Sequence, residues 1–232
     1  MINVIYLPKV NSTNTYAKAL LNSGEPLCPY TVIYAKEQTA GRGRRGRSWH
    51  CHEGDSLCMS LILPYTCKSG ITLLTALGVY KALRDICPNI KIKWPNDIIA
   101  DNKKLCGILT EGTKSGTVVG IGINLNHTTF PTDIAHKATS LRLLTGDSFT
   151  PAEILNKVAV SVFDEIEKYN AELTDNAIDE YIPLCANIGR EILWNGKNGV
   201  ATGISENGSL IIKTEHGTEQ VSFGEVFVSG IY

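Results

Sequence analysis

The chain has 232 residues, 43% of them apolar and 19% charged, and its 22 basic and 23 acidic side chains leave a formal charge of −1. That balance excludes a disordered polyelectrolyte, and 21 Gly with 9 Pro exclude a collagen-like or low-complexity chain. A protein this close to neutral does not bind nucleic acid with its whole surface, so any work on anions falls to a local cluster of cations.

The length suits one large domain with a small companion. Short runs rich in Val and Ile predict strands over Val4 to Leu7, Thr31 to Lys36, Leu57 to Leu63, Ile90 to Trp94, Lys104 to Glu111 and Thr117 to Leu125. Between them a helix is expected from about Asn14 to Leu21, capped by Ser12 or Thr13. A second is expected from about Leu73 to Ile86, with Leu73, Leu77, Tyr80, Leu83 and Ile86 forming a single apolar face. Residues 112–116 read as a hairpin turn, which favours a mixed or antiparallel sheet. Further helices are expected over Pro151 to Ala171, with Ile154, Val158, Val162, Ile166 and Tyr169 on one side, and over Ala177 to Cys185. Beyond Cys185 the texture changes to short alternating strands (Glu191 to Trp194, Val200 to Ile204, Ser209 to Thr214, Glu219 to Phe223) separated by Asn195-Gly196, Asn207-Gly208 and His216-Gly217. This is the pattern of a small all-β barrel, so the expected domains are 1–185 and 186–232.

The seven cysteines are scattered through apolar stretches without a C-x-x-C pair and read as buried thiols of a reducing compartment. Met1 to Pro8 lacks a basic n-region, and no run approaches the roughly 20 apolar residues of a membrane span, so a soluble cytoplasmic protein with no membrane partner is expected.

Gly41-Arg42-Gly43-Arg44-Arg45-Gly46-Arg47-Ser48-Trp49 departs furthest from the average composition, with four Arg in six positions. It matches G-x-G-x-x-G literally, but the intervening positions are bulky arginines, no helix follows, and no acid lies near residues 61–63, so a dinucleotide fold is disfavoured. Gly-Lys-Ser/Thr is absent, which excludes a P-loop. Three glycines interleaved with arginines lose much entropy on ordering, which suits closure over a polyanion such as ATP, with Trp49 available to stack on a purine. A single-stranded nucleic acid would call for the same chemistry and is the competing class, although one aromatic and one basic loop are sparse for it.

Lys93-Trp94-Pro95-Asn96-Asp97 reads as a strand broken by proline and followed by a polar turn. Lys104 stands at the entrance of an apolar strand, with Gly107 allowing close backbone approach. Gly120-Ile121-Gly122-Ile123-Asn124 alternates Gly with Ile, as in a strand that bends. His50-Cys51-His52 lacks a second ligand pair with zinc spacing, so no metal centre is expected.

Taken together, Ser12-Thr13-Asn14, Gln38, the 41–49 motif, Lys93 to Asp97, Lys104 to Leu109 and Gly122-Ile123-Asn124 resemble, in order and spacing, the biotin protein ligases. The resemblance spans most of residues 12–126. It implies an α/β catalytic domain, with a mixed sheet flanked by helices and related to class II synthetases, followed by a small SH3-like β domain. It also implies an ATP-dependent reaction that forms biotinyl-5′-AMP and passes biotin to a lysine of the biotin carrier domain of acetyl-CoA carboxylase or a similar carboxylase. Biotin and ATP are then the substrates, with Mg²⁺ accompanying ATP.

By the same resemblance Lys104, Arg42 and Arg44 are catalytic. Ser12, Thr13, Asn14, Gln38, Gly41, Arg42, Gly43, Arg44, Lys104 and Gly107 surround biotin, and Arg44, Arg47, Trp49, Asn96, Asp97 and Asn124 surround the nucleotide. Asp97 is left with three roles: holding metal, orienting a lysine or accepting its proton. Because the first strand begins almost at Met1, a family-type N-terminal helix-turn-helix has no room, and a ligase without a DNA partner is expected. Lipoate ligases share the adenylate chemistry and are the nearest rival. Monomer and homodimer both remain open.

Overall fold

The computed structural model describes residues 2–51, 53–67, 70–222 and 226–232. In chain order the first half carries β1 (Asn3–Val10), α1 (Thr13–Asn22), β2 (Thr31–Gln38), β3 (Ser56–Leu63), α2 (Ile71–Leu83), β4 (Ile90–Lys93), β5 (Asp97–Ala100), β6 (Lys103–Thr113) and β7 (Gly116–Asn124). The strands form one sheet in the order β1-β2-β3-β7-β6-β5-β4, parallel only between β1 and β2. Short connections explain this: β4 to β7 are hairpin neighbours, joined by a turn around the cis Trp94–Pro95 bond, by Asp101-Asn102 and by Lys114-Ser115. Asp97, expected in a turn, instead opens β5 opposite Lys93.

The central strands β3 and β7 are buried along their whole length. Because side chains alternate across a strand, Leu57, Met59, Leu61 and Leu63 of β3 join Val119, Ile121 and Ile123 of β7 in the main core. That core is closed by α2 and by α4 (Pro151–Lys168). On the opposite face Ile62 and Val118 meet Ala17 and Leu21 of α1, while Cys58, Gly120, Gly122 and Asn124 face a cavity.

The expected single apolar face of the second helix is corrected. Over Ile71–Val79, α2 is buried on nearly every side except Thr72, because it lies between the sheet and α4. The two helices meet at Gly78, where a Cβ would fall 2.6 Å from the Val162 Cα, and Ser161 Oγ donates to the Gly78 carbonyl at 2.9 Å. The expected face of α4 is observed at Ile154, Val158, Val162 and Ile166. The chain leaves that helix at Tyr169, with Asn170 and Ala171 in the left-handed region. A short α3 (Leu141–Thr145), unforeseen in the sequence, precedes it, and α5 (Asp175–Tyr181) ends sooner than expected, in a 3₁₀ turn over Ile182–Leu184.

Strands β8 (Glu191–Trp194), β9 (Lys197–Ile204), β10 (Leu210–Thr214), β11 (Gly217–Val221) and β12 (Phe227–Val228) form a second, wholly antiparallel sheet in the order β11-β10-β9-β8-β12. Asn195 and Gly196, both at positive φ, make the two-residue turn that the Asn-Gly pair predicts. The expected strand end at Phe223 lies outside the described residues. This sheet packs on the larger one: Ile192, Ala201 and Leu210 continue the main core, Trp94 Nε1 donates to the Gly208 carbonyl at 2.9 Å, and the Trp94 amide donates to Asn187 Oδ1 at 2.8 Å.

All seven cysteines are free thiols, and five are buried. Cys28 is exposed and Cys67 half-buried, which corrects the expectation for those two, both of which stand outside the helices and strands. No helix among the described residues is long and apolar enough to cross a membrane.

A polar cluster ties α2 to the helices that follow. Lys81 pairs with the buried Glu165 at 2.6 Å and with Glu180 at 2.7 Å, and Glu180 also accepts from Lys168 and the Tyr169 hydroxyl. Burial acts to raise the Glu180 carboxyl, but those hydrogen bonds outweigh it and bring it down to about 2. A carboxyl depressed in the folded state contributes stability above its unfolded value, and that contribution is lost as pH falls from about 4.5 toward about 2. Glu180→Gln is therefore expected to lower the melting temperature at pH 7, with the difference from wild type shrinking below pH 4. Melts across pH 2–7 check this, and a pH-independent difference contradicts it.

Candidate active site

One cavity of about 750 Å³ opens beside the glycine-bearing face of β7, and the residues singled out in the sequence line it: Ser12, Thr13, Asn14, Gln38, Arg42, Gly43, Arg44, Arg47, Trp49, Asn96, Asp97, Lys104, Gly107 and Asn124. Gly41 lies just behind, buried, where a Cβ would come 2.3 Å from the Trp49 carbonyl oxygen.

The polar end is built at the start of α1. Ser12 occupies the N-cap position, yet its side chain makes no capping hydrogen bond and turns to the cavity wall. Gln38 Oε1 accepts from the Thr13 amide at 2.8 Å and its hydroxyl at 3.0 Å. Ser60, wholly buried in β3, donates to Asn14 Oδ1 at 2.6 Å and lies 2.8 Å from Thr13 Oγ1. Asn14 spends its own amide on the Leu109 carbonyl and on Glu111 Oε2, at 3.1 and 2.8 Å. Asn14 fits here only because position 120 is glycine, since a Cβ would stand 2.3 Å from its Oδ1. Ser60 was not singled out from the sequence, though a lone hydroxyl inside the run Leu57-Cys58-Met59-Ser60-Leu61 is its signal.

The arginine motif folds back on itself as a narrow hairpin. Gly43 N donates to the Arg47 carbonyl at 2.7 Å and Trp49 N to the Gly41 carbonyl at 2.9 Å, and the tip turns through Arg45 and Gly46, both at positive φ. Arg42 reaches Thr15 Oγ1 at 3.1 Å and Glu111 at 3.6 Å. Burial acts to raise the Glu111 carboxyl, but hydrogen bonds from Lys18 and Asn14 and the charge of Arg42 outweigh it and hold it below the ordinary carboxylate range. Arg44 donates to Asn96 Oδ1 at 2.7 Å, and Asn96 is fixed in turn by the Ile108 carbonyl at 2.9 Å.

Lys104 owes its direction to a β-bulge. Along β5, Ile98 pairs with Cys106 but Ile99 with Lys104, so Leu105 is the extra residue and the alternation shifts by one. Lys104 and Gly107, an odd number of residues apart, thereby share a face: a Cβ on Gly107 would lie 3.0 Å from the Lys104 ammonium. Lys104 Nζ pairs with Asp97 at 2.7 Å and stands 5.7 Å from the Trp49 ring. The backbone of Lys104 also receives the segment 137–139 as a short parallel neighbour.

That segment belongs to a wall the sequence did not disclose, formed by His127, Phe130, Ile134 and Lys137. The His127 and Phe130 rings lie 5.0 Å apart, and His127 Nε2 is 2.8 Å from Ser56 Oγ. Asn124 is nearly buried and gives its amide to the Thr139 carbonyl, so it anchors this wall. Cys58 also faces the cavity, but burial pushes its thiol well up, which keeps it protonated and removes thiolate chemistry. Among the described residues no group of three or more His, Cys, Asp or Glu side chains could hold a metal ion. His52, part of the His50-Cys51-His52 run, lies outside them.

Residues 6–127 match the Biotin/lipoate A/B protein ligase family, and residues 194–229 match the Biotin protein ligase C terminal domain. The chain is 30% identical over 240 residues to the bifunctional ligase/repressor BirA of Bacillus spizizenii, covering 97% of this chain and 73% of that one. It is 29% identical to the biotin–[acetyl-CoA-carboxylase] ligase of Paracoccus denitrificans, covering 97% of this chain and all of the relative. Among solved structures it resembles the biotin protein ligase from Aquifex aeolicus in complex with biotin and ATP, with a TM-score of 0.86, 31% identity and coverage of 98% and 99% of the two chains.

The Trp49 ring lies directly against Gly122, where a Cβ would stand 2.3 Å from its Cε2. Gly122→Ala is expected to drive the ring outward, red-shifting the tryptophan emission and opening it to iodide quenching. Because a side chain rather than backbone must yield, the stability cost should stay below about 2 kcal/mol. Emission identical to that of wild type contradicts this packing.

Proposed function

The chain belongs to the biotin/lipoate A/B protein ligase family, and from that membership we propose that it joins biotin to ATP as biotinyl-5′-AMP and then transfers biotin to a lysine of a carboxylase's biotin carrier domain. The observation that carries this reading is a single cavity with hydrogen-bonding groups at one end and Arg42, Arg44, Arg47 and Lys104 along its length. In residue terms we assign 1–185 to the catalytic unit and 186–232 to the C-terminal unit.

A carboxylate is a poor acyl donor, because direct attack by an amine would have to expel an oxide. Attack of the biotin carboxylate on the α-phosphorus of ATP replaces that leaving group with AMP and releases pyrophosphate. Two anions must first meet. A unit like-charge pair 4 Å apart in an effective dielectric of about 20 costs about 4 kcal/mol, so cations between them are required. Lys104 and Arg42 fill that role, with Arg44 and Arg47 on the phosphates and Mg²⁺ arriving as part of the nucleotide substrate. Ser12, Thr13, Asn14 and Gln38 form the end that takes the ureido ring, whose polar edge needs partners once buried. In the second step the carrier lysine's neutral amine attacks the mixed anhydride and AMP departs. Asp97, ion-paired with Lys104, serves to orient that lysine.

Biotin-dependent exchange of pyrophosphate into ATP tests the first step. Wild type is expected to exchange with biotin and not with lipoate, and Lys104→Ala to lose exchange by at least about 10²-fold while its melting temperature barely moves. Exchange with lipoate alone, or normal exchange in the variant, overturns the assignment. Biotin with ATP is also expected to protect the arginines of residues 41–49 from trypsin. An unchanged cleavage rate argues against closure of the hairpin over the adenylate.

A further inference from the structure

Tyr232, beyond the last strand of the smaller sheet, enters the cavity and touches two of its charged groups. Its hydroxyl donates to Asp97 Oδ2 at 2.5 Å, while the other carboxylate oxygen faces Lys104 Nζ at 2.7 Å. Its ring lies under the Lys93 ammonium, 3.7 Å from centroid to nitrogen. Nothing in the motifs of residues 12–126 points to it.

The segment that delivers this side chain is tied down at each step. Ser229 N donates to the Glu191 carbonyl at 3.1 Å, Arg190 Nη1 to the Ser229 carbonyl at 3.2 Å, and Ile231 N to the Val228 carbonyl at 3.1 Å. Ile231 is buried, and the Tyr232 amide reaches the Asn102 carbonyl at 3.3 Å, in the turn between β5 and β6. The ring is therefore braced from both sheets.

We propose that Tyr232 is a positioning residue for adenylate formation, setting Lys104 through Asp97 and Lys93 through its ring. The proposal rests on the reading of Lys104 given above. With Oδ2 anchored by the Tyr232 hydroxyl, the carboxylate no longer turns freely about its Cβ–Cγ bond and keeps Oδ1 facing the ammonium, so Lys104 is aimed rather than merely tethered. The chemistry needs such aim, because an error of about 1 Å at a reacting group can cost about 10²-fold in rate. The ring separately gives the Lys93 ammonium an electrostatic seat at the cavity wall.

Tyr232→Phe keeps the ring and removes only the hydroxyl. Two measurements on the full chain test it: kcat and KM for biotin-dependent pyrophosphate exchange, and labelling of individual lysines by an N-hydroxysuccinimide ester, mapped by mass spectrometry. The variant is expected to lose about 10-fold in kcat with KM for biotin within twofold of wild type, and to label faster at Lys104 but not at the exposed control Lys213. The kcat loss should vanish when Tyr232→Phe is made in the Lys104→Ala background, as measured on residual exchange. Wild-type kcat and Lys104 labelling in Tyr232→Phe overturn the proposal, as does an equal loss in the Lys104→Ala background. If wild type shows no biotin-dependent exchange, the ligase reading fails instead, and Lys104 labelling still decides whether Tyr232 positions it. Tyr232→Leu, which lacks ring and hydroxyl, should also increase labelling at Lys93, and unchanged Lys93 labelling refutes the seat beneath it.

Discussion

The structure depends on a constraint at its centre: β3 and β7 must be covered on both faces, yet one of those faces has to hold a ligand. Strand alternation resolves it. Leu57, Met59, Leu61, Val119, Ile121 and Ile123 point toward α2 and α4 and form an uninterrupted apolar layer. Ser56, Cys58, Ser60, Gly120, Gly122 and Asn124 point the other way, and their small or polar side chains leave room beneath Asn14 and Trp49. The cavity is thus made by what β3 and β7 lack on one side, while their stability comes from the other. The close fit of α2 on α4 at Gly78 matters to function for this reason. The main core has to supply stability that the face beside the cavity does not.

The second organising feature is how the cations are kept before any substrate arrives. Several like charges around one cavity repel one another, and each described contact moderates that repulsion locally. Arg42 is drawn to Glu111, Lys104 to Asp97, Arg44 to an amide oxygen and Lys93 to an aromatic face. None of these partners is as strong a ligand for a guanidinium or ammonium as a phosphate, so an incoming polyanion can displace them while the backbone stays in place. Glu111 also holds Asn14 and Lys18, so the group that restrains the arginine hairpin is the same one that orders the polar end of the cavity. The polar end of the cavity and the arginine hairpin are coupled through that carboxylate.

How much of this could be read from the sequence follows from the range of each signal. Strand periodicity, the Asn-Gly turn and the apolar stripe of α4 are local and were legible, as were the motifs that line the cavity. The single face expected for α2 failed because burial on a second side is set by α4, a helix far along the chain whose Ser161 meets Gly78. Asp97 reads locally as turn chemistry after proline and becomes a strand residue only through pairing with β6. The bulge at Leu105 left no mark in the sequence, although it is what turns Lys104 toward the cavity. His127, Phe130 and Tyr232 were missed because nothing near them repeats or clusters. Only the folded chain brings them to the site.

That last group alters the meaning of the C-terminal sheet. Trp94 and Asn187 lock the sheet to the end of β4, so the segment that carries Lys93, Asn96 and Asp97 is held from both sides. A motif fixed only by its own strand would leave Asp97 on a short hairpin at the edge of the large sheet, where fewer buried contacts oppose local opening. With Trp94 buried against Gly208 and Tyr232 on Asp97, the edge hairpin is enclosed on the side of the smaller sheet as well. A module that looks in sequence like a detachable barrel therefore completes the cavity, and the charge geometry of the larger sheet depends on the smaller one staying docked.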